Sequence, residues 1–596
     1  MKKSKKILSI VLAFMMLFSA FSASTGAYAA SEAGQKFTDS VTKGFTNVLS
    51  TVITTILGAV NLPIRNNPDF INEKDYQNHD FYEGDETFLK EAGDNAAWML
   101  GSASVSLLPD DILSKNYYLG GFIMIENGFT NKVEDVADDM RARVIAIDDN
   151  SGRGVSLFAT IDCIGMTNGD IKEIRKLVAE KFAEKYPDVK LASINVSSTH
   201  CHSELDTQGL WTNGFAKIFK NLFKNALGLP MEQGTDAELM DSIFTKVSDA
   251  MLTAYENMKP GKLTYSVKDI GEEYFSNKNR KSCTWMDTKL TRLMFTPNDG
   301  SKATVIVNIG AHPDVAGLPL TDGKNKGRTV SGDYVYYMGE YINKCGYDFM
   351  FFNGAICGIY IGRGPTNDSQ DMEYRWEQSR RYGYEIAKMA LALNKTEEEI
   401  KADPDLYDEA LIAEEMAMAE KNNGLYTLWC EGWEPVEEVD VDPFFNIKLD
   451  TVEVPITNNL ILMAGKLNLA NYDVIKCGFL KYKINVEIGY IEFGNQFKAC
   501  LVPGELVEDL VAGGGSLTAE GSHTGKTFPA PTLYETFGEV TVFGLTNDAI
   551  GYIVPDNDYS MGIVNDHFQE ALSLGSATAS SLLFGFAEMA QELGIN

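Results

Sequence analysis

The sequence predicts an α/β fold: one large domain with a mixed β-sheet flanked by helices and a β-rich insertion. Three observations predict it. From about Ala97, short apolar runs alternate with longer amphipathic ones, which is the rhythm of βαβ units. Residues 144–147 and 156–161 read as strands, 170–185 as a helix and 194–200 as the next strand. Further apolar strands follow at 303–309 and 348–352. The stretch 425–480 is rich in Tyr, Val and Ile and is broken by turn residues, which predicts the β-rich insertion.

Taken in order, the chain opens with an export signal. Lys2, Lys3, Lys5 and Lys6 precede an apolar stretch from Ile7 to about Phe21, too short to span a membrane comfortably. Ala27-Tyr28-Ala29 is a small-residue cleavage site, so residues 1–30 are set aside from the fold and the protein is expected to be secreted. Residues 31–96 form a leader and linker. In the leader, Phe45, Val48, Leu49, Val52, Ile53, Ile56, Leu57 and Val60 recur at helical spacing. Membrane-surface contact through 45–60 is one reading. Docking on its own domain is favoured, because the polar face lacks lysines. Residues 66–90, rich in Asn, Asp and Glu, read as a linker or loop. The domain proper occupies 97–596, with helices expected at 373–394 and 405–421.

Composition narrows the function classes. With 596 residues, 44% hydrophobic and 23% charged, the chain can bury a large core. Its 83 acidic residues outnumber 52 basic ones, giving a formal net charge of -31. Such a surface repels phosphate backbones and excludes nucleic acid as a partner. Eight cysteines are scattered without a Cys-x-x-Cys pair, so buried free thiols are expected, with one or two bridges left open. Oligomeric state is left open as well.

The chemistry concentrates on few residues. The chain holds six histidines and places two of them in Thr199-His200-Cys201-His202, closing the strand-like run 191–196. In an extended chain, residues two apart share a face, so His200 and His202 project together and Cys201 points away. Two adjacent imidazoles can both bind a metal, or one can bind while the other moves protons. Three further segments end apolar strands in polar groups: one at His312, one at Pro503-Gly504-Glu505, and one running from Gly544 to Tyr552. His200, His312 and Glu505 make a His, His, Glu donor set, with Tyr552 able to add an oxygen.

These residues resemble the neutral/alkaline ceramidase family, zinc amidohydrolases that split ceramide into sphingosine and a fatty acid. The resemblance rests on Thr199-His200-Cys201-His202-Ser203, on His312 with Ser331-Gly332-Asp333 downstream, and on Pro503-Gly504-Glu505. It also rests on the segment Leu545 to Tyr552, on Asn279-Arg280-Lys281-Ser282, and on the approach Val136 to Arg143. The order of these segments is kept across roughly 97–585. The resemblance implies one large catalytic domain with Zn²⁺ held by His200, His312, Glu505 and Tyr552. It implies His202 as a histidine that either supports the metal ligands or contacts substrate, and Arg280 as the group facing the polar head. Two departures stand out: Glu204-Leu205 replaces Gly-Pro, and Tyr360 stands where the family's active-site serine would be. The family's C-terminal immunoglobulin-like domain is expected to be absent.

The expectation is therefore an exported zinc-dependent hydrolase acting on the N-acyl amide bond of ceramide or a related lipid. The alternatives are a hydrolase of other acyl amides or esters, and a non-catalytic binding protein on a degenerate ceramidase scaffold.

Overall fold

The computed structural model describes residues 70–121, 131–212, 214–316, 328–362, 372–421, 426, 428–479, 481–560 and 568–595. The expected export signal and the leader helix at 45–60 lie outside them. The chain forms two compact units. One comprises 63–559 and 572–596 and holds every element described below. Of the other, 1–62 with 560–571, only 560 and 568–571 are among the described residues.

A nine-stranded mixed sheet forms the centre. Its strands run from edge to edge as Asp348–Asn353, Thr304–Ile309, Lys289–Pro297, Lys259–Asp269, Trp98–Ser106, Arg141–Asp148, Val155–Ile161 and Leu191–Ser198, with Val439–Asp440 added beside Lys259–Asp269. The inner pairs are antiparallel. The outermost pair at each end is parallel, and each is a helical crossover: Asn168–Lys185 on one side and Asp333–Lys344 on the other. The first helix starts where Thr167 accepts the Asp170 N–H. Its Ile171, Ile174, Val178 and Phe182 form the buried stripe that meets the sheet.

A second sheet orders Phe70–Asn72, Val474–Gly478, Lys481–Phe493, Phe497–Leu501 and Thr541–Phe543, with Phe445–Pro455 also paired to Lys481–Phe493. The β-rich stretch at 425–480 thus feeds this sheet, with helix Asn459–Lys466 between its strands. Linker residues also dock there, since Phe70–Asn72 pairs with Val474–Gly478 and the Asp85 N–H donates to the Ile447 carbonyl.

The two sheets stack face to face. Ile145, Phe158, Ile306 and Phe352 from the first share one apolar layer with Ile447, Ile491, Phe497 and Phe543 from the second. Phe352 and Phe543 stack at 4.0 Å across it. The opposite faces are covered by helices. Val144 and Ala159 meet Asn168–Lys185 and Ala237–Glu256, Val305 and Val307 meet Asp333–Lys344 and Met372–Ala392, and Val486 and Ile488 meet Thr578–Glu592. The result is four layers, helix–sheet–sheet–helix. It explains why Thr304–Ile309 is buried along its whole length: alternate residues enter two different cores. All eight cysteines are unpaired and six are buried, as the free-thiol reading expects. Among the described residues no helix is long and apolar enough to cross a membrane.

Candidate metal centre

The site lies where strands of both sheets end. His200 comes just past Leu191–Ser198 and His312 just past Thr304–Ile309. From the second sheet, Phe497–Leu501 leads through Pro503-Gly504 to Glu505, and Thr541–Phe543 leads to Tyr552. Glu505 and Tyr552 then sit opposite each other in a short parallel ladder. The imidazoles of His200, His202 and His312 converge, with ligand atoms all within 4.8 Å of one another.

His200 and His202 meet, but not by strand alternation. The strand stops at Ser198, and His200 takes a left-handed backbone with φ 66°. That conformation costs about 1–2 kcal/mol for an L residue. Bonds on both sides hold it: the Thr199 N–H donates to Ile161, Cys201 N–H to Cys163, and His202 N–H to Pro313, each at 3.0 Å. The turn brings the His200 and His202 rings edge to face at 4.7 Å. Cys201 turns away as expected, its thiol on the Ser331 carbonyl at 3.1 Å.

The donor chemistry fits a cation. His200 Nδ1 lies 2.8 Å from the Ile164 carbonyl and His312 Nδ1 lies 2.9 Å from the Ile359 carbonyl. A carbonyl only accepts, so each Nδ1 carries the hydrogen and each Nε2 presents a lone pair. Both Nε2 atoms lie 3.2 Å from one oxygen of Glu505. Three buried lone-pair atoms facing one another repel unless a proton or a cation sits among them. Burial raises the Glu505 carboxyl, but His200 and His312 outweigh it and hold its pKa at about 2. Burial, then His200 and His312, push His202 well below the usual histidine range. Burial, then Glu505, push the Tyr552 hydroxyl well above the usual tyrosine range.

The other expected residues fall around this centre. Tyr360 bridges His312 along the backbone and stacks on its ring at 4.6 Å, and the Lys278 ammonium lies 4.4 Å from the Tyr360 ring centre. Arg280 is fixed by Asp558, donating to its carboxylate at 2.6 Å and its carbonyl at 2.7 Å. Asp162 pairs with Arg143 at 2.7 Å, and Asp333 accepts from Ser379 and the Tyr334 N–H. The rings of His200 and His312 are oriented by the backbone carbonyls of Ile164 and Ile359.

Comparison with known proteins adds the architecture. No family model matches the sequence, and no curated protein matches it. Similar solved structures include two of ceramidases. One is neutral ceramidase from Pseudomonas aeruginosa, with TM-score 0.52 and 13% identity over 83% of this chain and 74% of that one. The other is a ceramidase complexed with C2, with TM-score 0.52 and 13% identity over 84% and 76%. The fold is that of neutral ceramidase. The resemblance first drawn from scattered motifs is thus matched at the level of architecture. The ceramidase fold also accounts for the mixed sheets between helices that composition and periodicity predicted.

Sequence reading missed the groups that hold the histidines. Asn353, fully buried, donates to the Thr199 carbonyl at 2.8 Å and accepts from the Ala311 N–H at 3.3 Å, tying the two histidine loops together. Asn547 does similar work, accepting from the Val196 N–H and donating to Asn195. An asparagine closing the apolar run Phe349 to Phe352 was the available signal for Asn353. The Ile164 and Ile359 carbonyls left no side-chain signal at all. Gly121 was invisible for another reason: its φ is +123°, and a Cβ there would fall 2.8 Å from His202 Nδ1.

Proposed function

We propose that this chain is an exported, zinc-dependent amidohydrolase that cleaves the N-acyl amide bond of ceramide or a related lipid. The observation that carries the reading is the convergence of His200, His202, His312 and Glu505 at the ends of strands from two sheets. The fold likeness to neutral ceramidase supports it. The paired lysines and small-residue site at the N-terminus support export.

His200, His312 and Glu505 would hold the ion, with Tyr552 beside Glu505 as the fourth donor. Zinc in such a site supplies Lewis acidity and lowers the pKa of water to about 7. Hydrolysis forms a C–O bond from water to the acyl carbon, breaks the C–N bond, and moves a proton from the water to the departing amine. His202 is the residue assigned to that proton. It is buried beside His200, is held as the neutral imidazole, and can accept the proton and return it to nitrogen. Arg280, anchored by Asp558, is assigned to the polar head of the substrate.

One observation favours a second reading within the same chemistry. Tyr360 fills the space against His312 where the family carries a small serine, which suits another acyl amide, or an ester, with a different head. A panel of ceramide, N-acyl amino acid and ester substrates, run beside metal analysis of the purified chain, tests both. About one zinc per chain with fastest turnover on ceramide supports the first reading. Preference for a soluble short-chain amide supports the second. Zinc with no turnover on any of them leaves only a binding protein and overturns both.

Two variants probe the proton assignment. His202→Ala is expected to slow turnover about 10²–10⁴-fold while the metal content stays unchanged. Gly121→Ala is expected to push the His202 ring aside and slow turnover about 10²-fold, because displacing a reacting group by an ångström carries that order of penalty. Loss of metal in either variant, measured by elemental analysis, would make His202 a ligand instead.

A further inference from the structure

The loop 277–285 carries Arg280, and it is clamped by acids that follow the segments of the metal centre. Glu505 is followed three residues later by Glu508, and Tyr552 six residues later by Asp558. Asp558 holds the Arg280 guanidinium and also accepts the His523 N–H at 2.7 Å. Glu508, with 0% exposure, holds the residue before Arg280. Asn279 Nδ2 donates to Glu508 Oε2 at 2.5 Å, and the Cys283 thiol lies 3.7 Å from the same oxygen. Asp509 closes the far end of the loop, accepting the N–H groups of Thr284 and Trp285 at 3.0 and 2.9 Å.

Glu508 also reaches a second segment of the site. Its Oε1 accepts the Gly358 N–H at 3.4 Å, and Gly358 leads into strand Ile359–Ile361, which stacks Tyr360 on His312. That strand pairs with Phe275–Asn277, and the Lys278 N–H donates to the Gly358 carbonyl at 2.8 Å. The approach is too close for a side chain: a Cβ on Gly358 would fall 2.2 Å from Asn279 Oδ1. A carboxyl is almost never fully buried unless its oxygens have partners. Here the partners are the loop of Arg280 and the turn of Tyr360, met from the segment that supplies Glu505.

We propose that Glu508 is a positioning residue, which fixes Arg280 and Tyr360 relative to Glu505 and so sets how tightly the polar head of the substrate is held. The inference rests on the hydrolytic reading, with Arg280 on the head. Burial raises the Glu508 carboxyl to about 8, so near pH 7 glutamine, neutral and of the same shape, is its closest replacement.

Kinetics of the full chain on the preferred substrate of the panel test it. Arg280 would meet a part of the substrate that does not react, so loosening it removes binding rather than chemistry. Glu508→Ala is expected to raise KM about 10–100-fold, the worth of a charged hydrogen bond, and to lower kcat less than about 3-fold at unchanged metal content. Glu508→Gln should bring KM back to within about 3-fold of the wild type. Arg280→Ala should raise KM as far, and Glu508→Ala/Arg280→Ala no further, because one residue acts through the other. Asn279→Ala cuts the same bond from its half-buried side and should repeat the rise, so the test stands even where Glu508→Ala fails to fold. Trypsin reads the loop without turnover. Cleavage after Lys278 or Lys281, both exposed, should be at least about 10-fold faster in Glu508→Ala than in the wild type or Glu508→Gln. A KM that rises in Arg280→Ala but in neither Glu508→Ala nor Asn279→Ala overturns the positioning role and leaves the hydrolytic reading standing. Additive losses in the double variant, no rescue by glutamine, or equal trypsin cleavage overturn it too. A KM untouched by Arg280→Ala takes Arg280 off the head and the inference with it. A wild-type chain without turnover fails the hydrolytic reading itself, and the inference falls with that reading.

Discussion

His312→Ala is expected to abolish cation binding and turnover together. The ring is positioned from three sides: its Nδ1 by the Ile359 carbonyl, its face by Tyr360, and its backbone N–H by the same Ile359 carbonyl. With the ring so placed, its Nε2 cannot turn away from Glu505. Deleting it removes one of the two imidazoles that meet the Glu505 carboxylate. Losing a partner that merely orients a ligand lowers metal affinity about 10–100-fold, so losing the ligand itself should lower turnover by at least about 10³-fold. The cation content of the purified chain should fall from about one to well below about 0.1 per molecule. There is a structural penalty too. Glu505 is buried, and stripping a buried charge of a partner costs about 3–5 kcal/mol, so the variant should also unfold at lower denaturant. Elemental analysis, turnover on the best substrate of the panel and a denaturant titration read the three effects. A variant that kept stoichiometric metal and full turnover would remove His312 from the donor set.

What could be read ahead of the structure, and what could not, follows from how local each signal is. Strands and helices next to the site were legible because their periodicity is short-range: 144–147, 156–161, 170–185 and 348–352 all fall inside elements of the same kind. The donor residues were legible as polar groups ending apolar runs. Partner choice was not. Phe497–Leu501 pairs with Thr541–Phe543, forty residues away, and nothing in either segment names the other. For the same reason the stretch 425–480 read as strands but not as half of a second sheet, whose longest member, Lys481–Phe493, begins just beyond it. The histidine pair shows the subtler limit. An extended chain places His200 and His202 on one face, and the structure reaches a similar closeness through a left-handed turn instead. Side-chain chemistry dictated that the two rings should meet, whereas the route depended on the hydrogen bonds of the Ile161–Cys163 edge and on Pro313, which are tertiary facts.

The largest stability effect expected away from the metal centre is at Arg175 and Glu487. Glu487→Leu should cost about 3–5 kcal/mol, because it leaves a guanidinium with 0% exposure and no carboxylate. The pair, at 2.8 Å, spans three layers. Arg175 comes from helix Asn168–Lys185, its Nε donates to the Ile194 carbonyl in the strand that leads to His200, and Glu487 belongs to the second sheet. Asn168 donates to the same carboxylate at 3.1 Å. The charges hold the sheets in register but are costly to desolvate, so removing both should hurt far less than removing one. Arg175→Met/Glu487→Leu is expected to recover all but about 1 kcal/mol, the residue being the Asn168 bond that no longer forms. Denaturant titrations of the two single variants and the double one close the cycle, with a coupling above about 2 kcal/mol expected. Turnover should separate the roles further. Because Arg175 steadies the strand that leads to His200, Glu487→Leu should lower the rate even where the chain is still folded, while metal content holds. A single variant as stable as the wild type would mean that the carboxylate is not what compensates Arg175, and the register of the two sheets would then rest on their shared apolar layer alone.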